Sequence, residues 1–217
     1  MDVIMVAAGF GAGLGIDVYA ARFAAKAASD HRKSTSGTKL LSGAAGALAA
    51  LLAVWLAPAE LSVFTAAFGW LLLALSNIDL RTQLLPDILN ALLLALGAAM
   101  VFLVRQDAWL MHAAGAGLGF AVLWAVETGY RHMRGHDGLG RGDAKLLGAT
   151  GVWVGAAALP PVLLIASLSG LLAALMLSWL KRAPISASTR IAFGPWIALG
   201  GFAVWCLQLA APGMAVD

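Results

Sequence analysis

The sequence predicts an all-α polytopic membrane protein of about eight transmembrane helices. The first observation behind this is composition. Of 217 residues, 61% are hydrophobic and 12% charged, and the mean hydropathy is +0.88. Soluble domains are about half apolar and about a quarter charged. The second is that the apolar residues fall into eight runs, roughly 3–22, 40–58, 61–79, 88–104, 108–130, 144–159, 160–180 and 191–212. Several are short for a span of about 20 residues, which implies tilt or partial immersion. Backbone groups in lipid must be satisfied within their own segment, so the runs are helices. The third is that thirteen of the fourteen Lys and Arg residues lie in or beside alternate connections.

Those basic residues also orient the chain. Arg22, Lys26, Arg32, Lys33 and Lys39 border the first connection and Arg81 the third. Arg131, Arg134, Arg141 and Lys145 belong to the fifth, and Lys181, Arg182 and Arg190 to the seventh. Only Arg105 lies in an even-numbered connection. The positive-inside rule then places the odd connections in the cytoplasm and both termini outside. Met1 to Val6 carries no basic stretch, so the first span is expected to be retained rather than cleaved as a signal peptide. The whole of 1–217 is expected to form a single membrane-embedded domain.

In chain order, span one carries Asp17 within Gly13-Leu-Gly-Ile-Asp17, an acid that should face other helices or the cytoplasmic rim. The connection 23–39 is short and basic. It is suited to anionic lipid head groups, or is only a topology signal. Small-residue stretches at Gly43–Ala50 and Gly115–Gly119 suit close helix packing.

Span three closes on Asn77-Ile-Asp79-Leu-Arg81. An acid at a helix C-terminus opposes the dipole and needs a reason; pairing with Arg81 is one. Pro86 then stops one helix or starts the next, and Asp87 caps or shapes the start of span four. Near the end of span five, Glu127 has the spacing to pair with Arg131. His132 and His136 stand four apart, but no further ligand pattern surrounds them and Gly135 weakens the helix, so no metal is expected. Asp137 reads as a solvated loop acid. The lone Cys206 forms neither an intrachain disulfide nor a cysteine metal site. Span eight opens on Phe193-Gly194-Pro195-Trp196, a helix start or a kink. Trp70, Trp109, Trp153 and Trp196 read as rim or packing residues.

The chemistry concentrates in Gly138-Leu-Gly140-Arg-Gly142-Asp143-Ala-Lys145, a glycine-rich turn that delivers Asp143 to the start of an apolar helix. Capping that helix is one reading of Asp143. Asp79 is a second acid at a helix end on the same membrane face. If the bundle brings the two together, they cannot both ionise easily, and one holds a proton while the other is charged. Aspartic proteases use that arrangement.

The segments Asn77–Asp87, Gly138–Gly148 and Ala192–Pro195 resemble the three signature stretches of the type IV prepilin peptidases, which are GxGD-type intramembrane aspartic proteases. They lie in order over nearly the whole chain. The resemblance implies that Asp79 and Asp143 are the catalytic pair, with Gly140, Gly142, Lys145, Pro86, Asp87, Gly194 and Pro195 as supporting motif residues. It implies an enzyme of the bacterial inner membrane that cleaves a short basic leader after a glycine, at the cytoplasmic face. Its partners would be prepilins or the pseudopilins of type II secretion, with membrane lipids around it and no nucleic acid. Gly13–Arg22 is similar to a further family stretch, with Asp17 where an Asn is usual. Bifunctional members carry a long first cytoplasmic connection, commonly with paired CxxC motifs that bind zinc, and also methylate the new N-terminus. Here that connection is short and cysteine-free, so neither zinc, another cofactor nor N-methylation is expected. The competing readings are a catalytically silent scaffold of a pilus or secretion system and a small transporter. The acids cluster at one face and do not step across the bilayer, which disfavours transport.

Overall fold

The structure, a computed structural model, describes residues 2–27, 36–134, 140–181 and 192–211. Asp30, Arg32 and Lys33 of the first connection, His136, Asp137 and Gly138 of the fifth, and Arg182 and Arg190 of the seventh lie outside them. The described residues form eight α-helices and no strand: α1 (Asp2–Ala27), α2 (Ser36–Leu56), α3 (Ala59–Thr82), α4 (Asp87–Val104), α5 (Trp109–Arg134), α6 (Arg141–Val154), α7 (Leu159–Lys181) and α8 (Gly194–Ala210). The chain is an all-α polytopic membrane protein.

Six helical segments are long and apolar enough to cross a membrane, namely α1 to α5 and the segment Ala156–Leu180 that contains α7. α8 is apolar but has 17 residues. α6 has only 14, which at about 1.5 Å per residue gives about 21 Å, short of a bilayer core of about 30 Å. α6 is therefore shorter than the bilayer core is thick, and it lies almost entirely buried, with its last turn beside the start of α5. Gly155 ends it at φ 81, a conformation open to glycine, and one 3-10 turn (Ala156–Ala158) leads straight into α7.

The first connection is narrower than 23–39. α1 runs on to Ala27 and α2 begins at Ser36, because Ala24, Ala25 and Ala27 are strong helix formers and Ala24 is buried. α1 packs on α2 and α3, α5 on α6, and α7 on α8; α3 and α6 each also touch α4 and α8. The small-residue stretches lie at these contacts. A Cβ on Gly13 or Gly46 would overlap the backbone of the facing helix in the α1–α2 pair, and Gly115 and Gly151 approach in the same way between α5 and α6. Side-chain volume is given up there so that backbones can meet, the usual solution in a membrane.

The centre of the molecule is aromatic. Phe68 of α3 stacks on Trp153 of α6 at 4.4 Å, and Trp205 of α8 meets Trp153 edge-on at 5.9 Å. Both indole N–H groups are satisfied, Trp153 donating to the Leu93 carbonyl at 3.0 Å and Trp205 to Thr65 at 3.1 Å. Burying an indole with a partner for its N–H avoids a desolvation cost of about 1–3 kcal/mol. This cluster ties α3, α4, α6 and α8 together, and the ends of α3, α4 and α6 carry Asp79, Asp87 and Asp143. On the outside, Trp55, Phe102, Met176 and Trp179 are exposed, as a lipid-facing surface requires.

Candidate functional site

Asp79 sits in the last turn of α3 and is 4% exposed. It does not pair with Arg81. Residues two apart on a helix face different ways, and Arg81 turns instead to Asp17 of α1, forming a buried ion pair. Thr38 of α2 donates to the same carboxylate at 3.4 Å. Asp17 thus faces other helices, as expected, and joins α1 and α2 to the end of α3.

The Asp79 carboxylate points to the first residue of α8 and accepts the Gly194 N–H at 3.0 Å. The reason for an acid at a helix C-terminus is therefore the N-terminus of a second helix, whose free N–H groups and dipole favour negative charge. Phe193 precedes α8 as its N-cap and Pro195 lies in its first turn, where a missing N–H costs nothing. A side chain at Gly194 would crowd the carboxylate: a Cβ would come within 2.7 Å of Asp79 Oδ2 and push it aside.

α3 stops at Gln83, which takes the left-handed conformation (φ 55) and donates its N–H to the Asp79 carbonyl at 2.8 Å. The chain then turns through Leu84 and Leu85 to Pro86, the N-cap of α4. Asp87 opens α4 in its first turn, where its charge suits the dipole. Its side chain makes no cap. It reaches across to Lys145 of α6, with Nζ and Oδ1 at 2.6 Å. Both side chains are well exposed, so the pair holds by less than about 1 kcal/mol.

Asp143 lies in the first turn of α6, behind the N-cap Gly140, and is 7% exposed. Its carboxylate accepts the backbone N–H of Gly140, the half of a capping box in which an acid reaches back to the cap residue. The capping reading of Asp143 is thus correct as far as it goes. The rest of its setting is a second acid. Burial and the nearby Asp79 charge together push the Asp143 carboxyl up from 3.8 to about 7, against the lowering effect of the Gly140 N–H. Two glycine backbones border the pair: Gly140, where a Cβ would come 3.2 Å from Asp143 Oδ2, and Gly194 beside Asp79. Gly142 faces a different neighbour, with its Cβ position 2.9 Å from the Leu85 Cβ.

Glu127 of α5 is buried and pairs with Arg131 at 2.7 Å, as its spacing predicts. It also lies 3.7 Å from Arg141 Nε, which joins the end of α5 to the start of α6. His132 is exposed on α5. Sequence reasoning missed the Asp79–Gly194 bond, the Asp17–Arg81 pair and the Lys145–Asp87 bridge. A glycine directly before a proline at a helix start was the one available signal for the first.

Residues 66–175 match the type IV leader peptidase family. Among relatives, a prepilin leader peptidase/N-methyltransferase of Escherichia coli is 45% identical over 167 residues, covering 73% of this chain and 72% of that protein. Proteins of the same name from Dickeya chrysanthemi and Pectobacterium carotovorum are 41% and 40% identical. This chain spans only about half of those two, 56% and 46%. No solved structure matches the chain. With half of its length matched to the family and close identity to a relative it largely covers, the chain belongs to the type IV leader peptidase family.

Proposed function

We propose that this protein is an aspartic endopeptidase, with Asp79 and Asp143 as its catalytic pair. It removes the short basic leader of type IV prepilins, or of type II secretion pseudopilins, after a glycine. The observation that carries this reading is that two buried acids, one at the end of α3 and one at the start of α6, lie near enough for the Asp79 charge to help raise the Asp143 carboxyl. Like charges so placed share one proton, and the pair titrates as a unit.

Hydrolysis needs both protonation states at once. The ionised carboxylate takes a proton from a water held between the two acids, and the water oxygen attacks the scissile carbonyl. The protonated carboxyl gives its proton to the carbonyl oxygen. Collapse of the tetrahedral intermediate breaks the C–N bond, and the amine leaves with a proton returned by the pair. The Gly194 N–H steadies Asp79 while it is charged, and Gly140 does the same for Asp143. Lys145 and Asp87 hold α6 to the start of α4 at the rim.

In this reading 1–217 works as one membrane-embedded peptidase domain in the bacterial inner membrane. The odd connections and the site face the cytoplasm, and both termini lie outside, in keeping with the basic residues. The relatives' names join a peptidase to an N-methyltransferase. We assign only the first activity to this chain, because its α1–α2 connection is short and without cysteine.

The test is to co-express the chain with candidate prepilins and weigh the product's N-terminus. The expected product has lost its leader after a glycine and gains no methyl group of about 14 mass units. Prepilin left intact by abundant, folded protein would overturn the peptidase. A methylated product would overturn the single-activity assignment alone.

A further inference from the structure

The end of the molecule away from the two acids carries a feature that catalysis does not use. α4 begins at Asp87, near the acids, and runs 18 residues to Val104, which at about 1.5 Å per residue takes it about 27 Å away. The chain then passes through Arg105 and the short 3-10 turn Gln106–Ala108 into α5. Between the end of α4, the start of α5 and the end of α6 lies a cavity of about 460 Å³. Val101, His112 and Val152 form its buried floor, and Ala98, Trp109 and Ala113 its exposed mouth.

The cavity walls are fixed. His112 Nδ1–H donates to the Val152 carbonyl at 2.8 Å, and the Gln106 amide in the wall donates to the Phe102 carbonyl at 2.6 Å. The space stays open because the residues at its mouth include two alanines. Its volume and its lining suit a mostly apolar ligand anchored by a few polar groups. Trp109 at the mouth is 57% exposed and Phe102 beside it 76%, so the opening lies on surface suited to lipid.

Arg105 directly precedes Gln106 of the cavity wall, and its charge is felt at His112. Its guanidinium lies over the Trp205 ring, 5.4 Å from the centroid. It is half-buried, and burial lowers its pKa from 12.5; a guanidinium stays charged all the same. Among the described residues no carboxylate pairs with it, Asp107 two positions on included. It is also the one Lys or Arg outside the odd-numbered connections. A partly desolvated cation, held against the usual distribution of charge and without an acid beside it, calls for an anion.

We propose that the cavity and Arg105 together form a phospholipid site: one acyl chain fills the cavity, and the lipid phosphate meets the Arg105 guanidinium. The two parts of the ligand match two adjoining features of the protein. The planar fork of the guanidinium suits a pair of phosphate oxygens, and the Trp205 ring beneath it already orders it. The bound lipid joins the end of α4 to the start of α5 and the end of α6. The site is separate from the acids and stands whether or not they cut a prepilin.

The test is native mass spectrometry of the full chain in detergent, titrated with three probes. These are phosphatidylglycerol, diacylglycerol with the same chains, and glycerol phosphate, which has no chains. The unmutated protein should bind one phosphatidylglycerol about tenfold or more tightly than diacylglycerol, and glycerol phosphate more weakly than either. Arg105→Gln should abolish the preference for the phosphate-bearing lipid. Ala98→Leu and Ala113→Phe, both at exposed positions that fill the mouth, should each weaken the two lipids alike by about tenfold. Thermal midpoints of the variants without lipid show that each is folded. Equal binding of the two lipids by the unmutated chain would overturn the proposal, as would a preference that survives Arg105→Gln. Glycerol phosphate bound as tightly as the lipid would make this a site for free phosphate instead. Binding untouched by both mouth-filling variants would mean surrounding bilayer lipid only, and would equally overturn it.

Discussion

At the scale of single residues, the two acids are held in different ways, and the difference is testable. Asp143 is raised from 3.8 to about 7 by burial and by Asp79. It is therefore protonated in the folded protein at pH values where an unfolded aspartate is charged. Protonation then favours the fold: this contribution is complete below pH 3.8 and is lost as pH rises through about 7. In the proposed mechanism the shared proton follows the same course. Initial rates of cleavage against pH should fall as pH climbs through about 7, and a flat profile from pH 6 to 9 would contradict the shared proton. Gly194 gives a second prediction. Its φ is ordinary, and alanine is the better helix former by up to about 1 kcal/mol, so Gly194→Ala should remain folded. Its new Cβ would press on Asp79 Oδ2 from 2.7 Å. Cleavage per unit of enzyme should drop by at least about tenfold, and an unchanged rate would mean that Asp79 is not held there for catalysis.

At the scale of elements, each acid stands where one helix end meets another. α3 ends against the start of α8 through Asp79 and Gly194, and α6 starts against the end of α5 through Arg141 and Glu127. α1 is fastened to the end of α3 by the buried Asp17–Arg81 pair. Removing one partner of such a pair leaves the other's charge in a dry place at a cost of about 3–5 kcal/mol. Asp17→Ala should lower the thermal midpoint in detergent by several degrees. Replacing both residues, Asp17→Ala with Arg81→Met, should recover much of the loss; a double variant no better than the single would mean the pair is not the source. The elements were readable from the sequence because each apolar run ends in a glycine, a proline or a charge. The partners were not. Gly194 is 115 positions from Asp79 and Arg81 is 64 from Asp17, and no local pattern shows which helix ends will meet. Arg81 beside Asp79 even pointed the wrong way, since sequence neighbours two apart on a helix diverge. The length of α6 was also hidden. The run 144–159 continues into 160–180 without a polar break, and it is the left-handed Gly155 that stops the helix at 14 residues.

At the scale of the whole molecule, the stacked core of Phe68, Trp153 and Trp205 sets α3, α6 and α8 relative to one another. The candidate site lies where the ends of those helices converge. Its two acids stand out in the sequence only through their glycine and proline surroundings; alone, Asp143 reads as a helix cap and Asp79 as a partner for Arg81. Orientation belongs to this scale too. Topology reporters fused after Lys26 and after Arg81 should report the cytoplasm, and one at Arg105 the opposite side; the reverse would put the acids on the wrong face for a cytoplasmic leader. The central claim is that Asp79 and Asp143 act as one unit on a prepilin. The most direct measurement of it is the single-turnover cleavage rate of purified chain, of Asp79→Asn, of Asp143→Asn and of the double variant, each checked for intact folding. If the two acids share one proton and one water, each single change should cost about 1,000-fold or more, and the double change should cost little beyond either. Cleavage that survives in either single variant, or losses that multiply in the double, would contradict the pair.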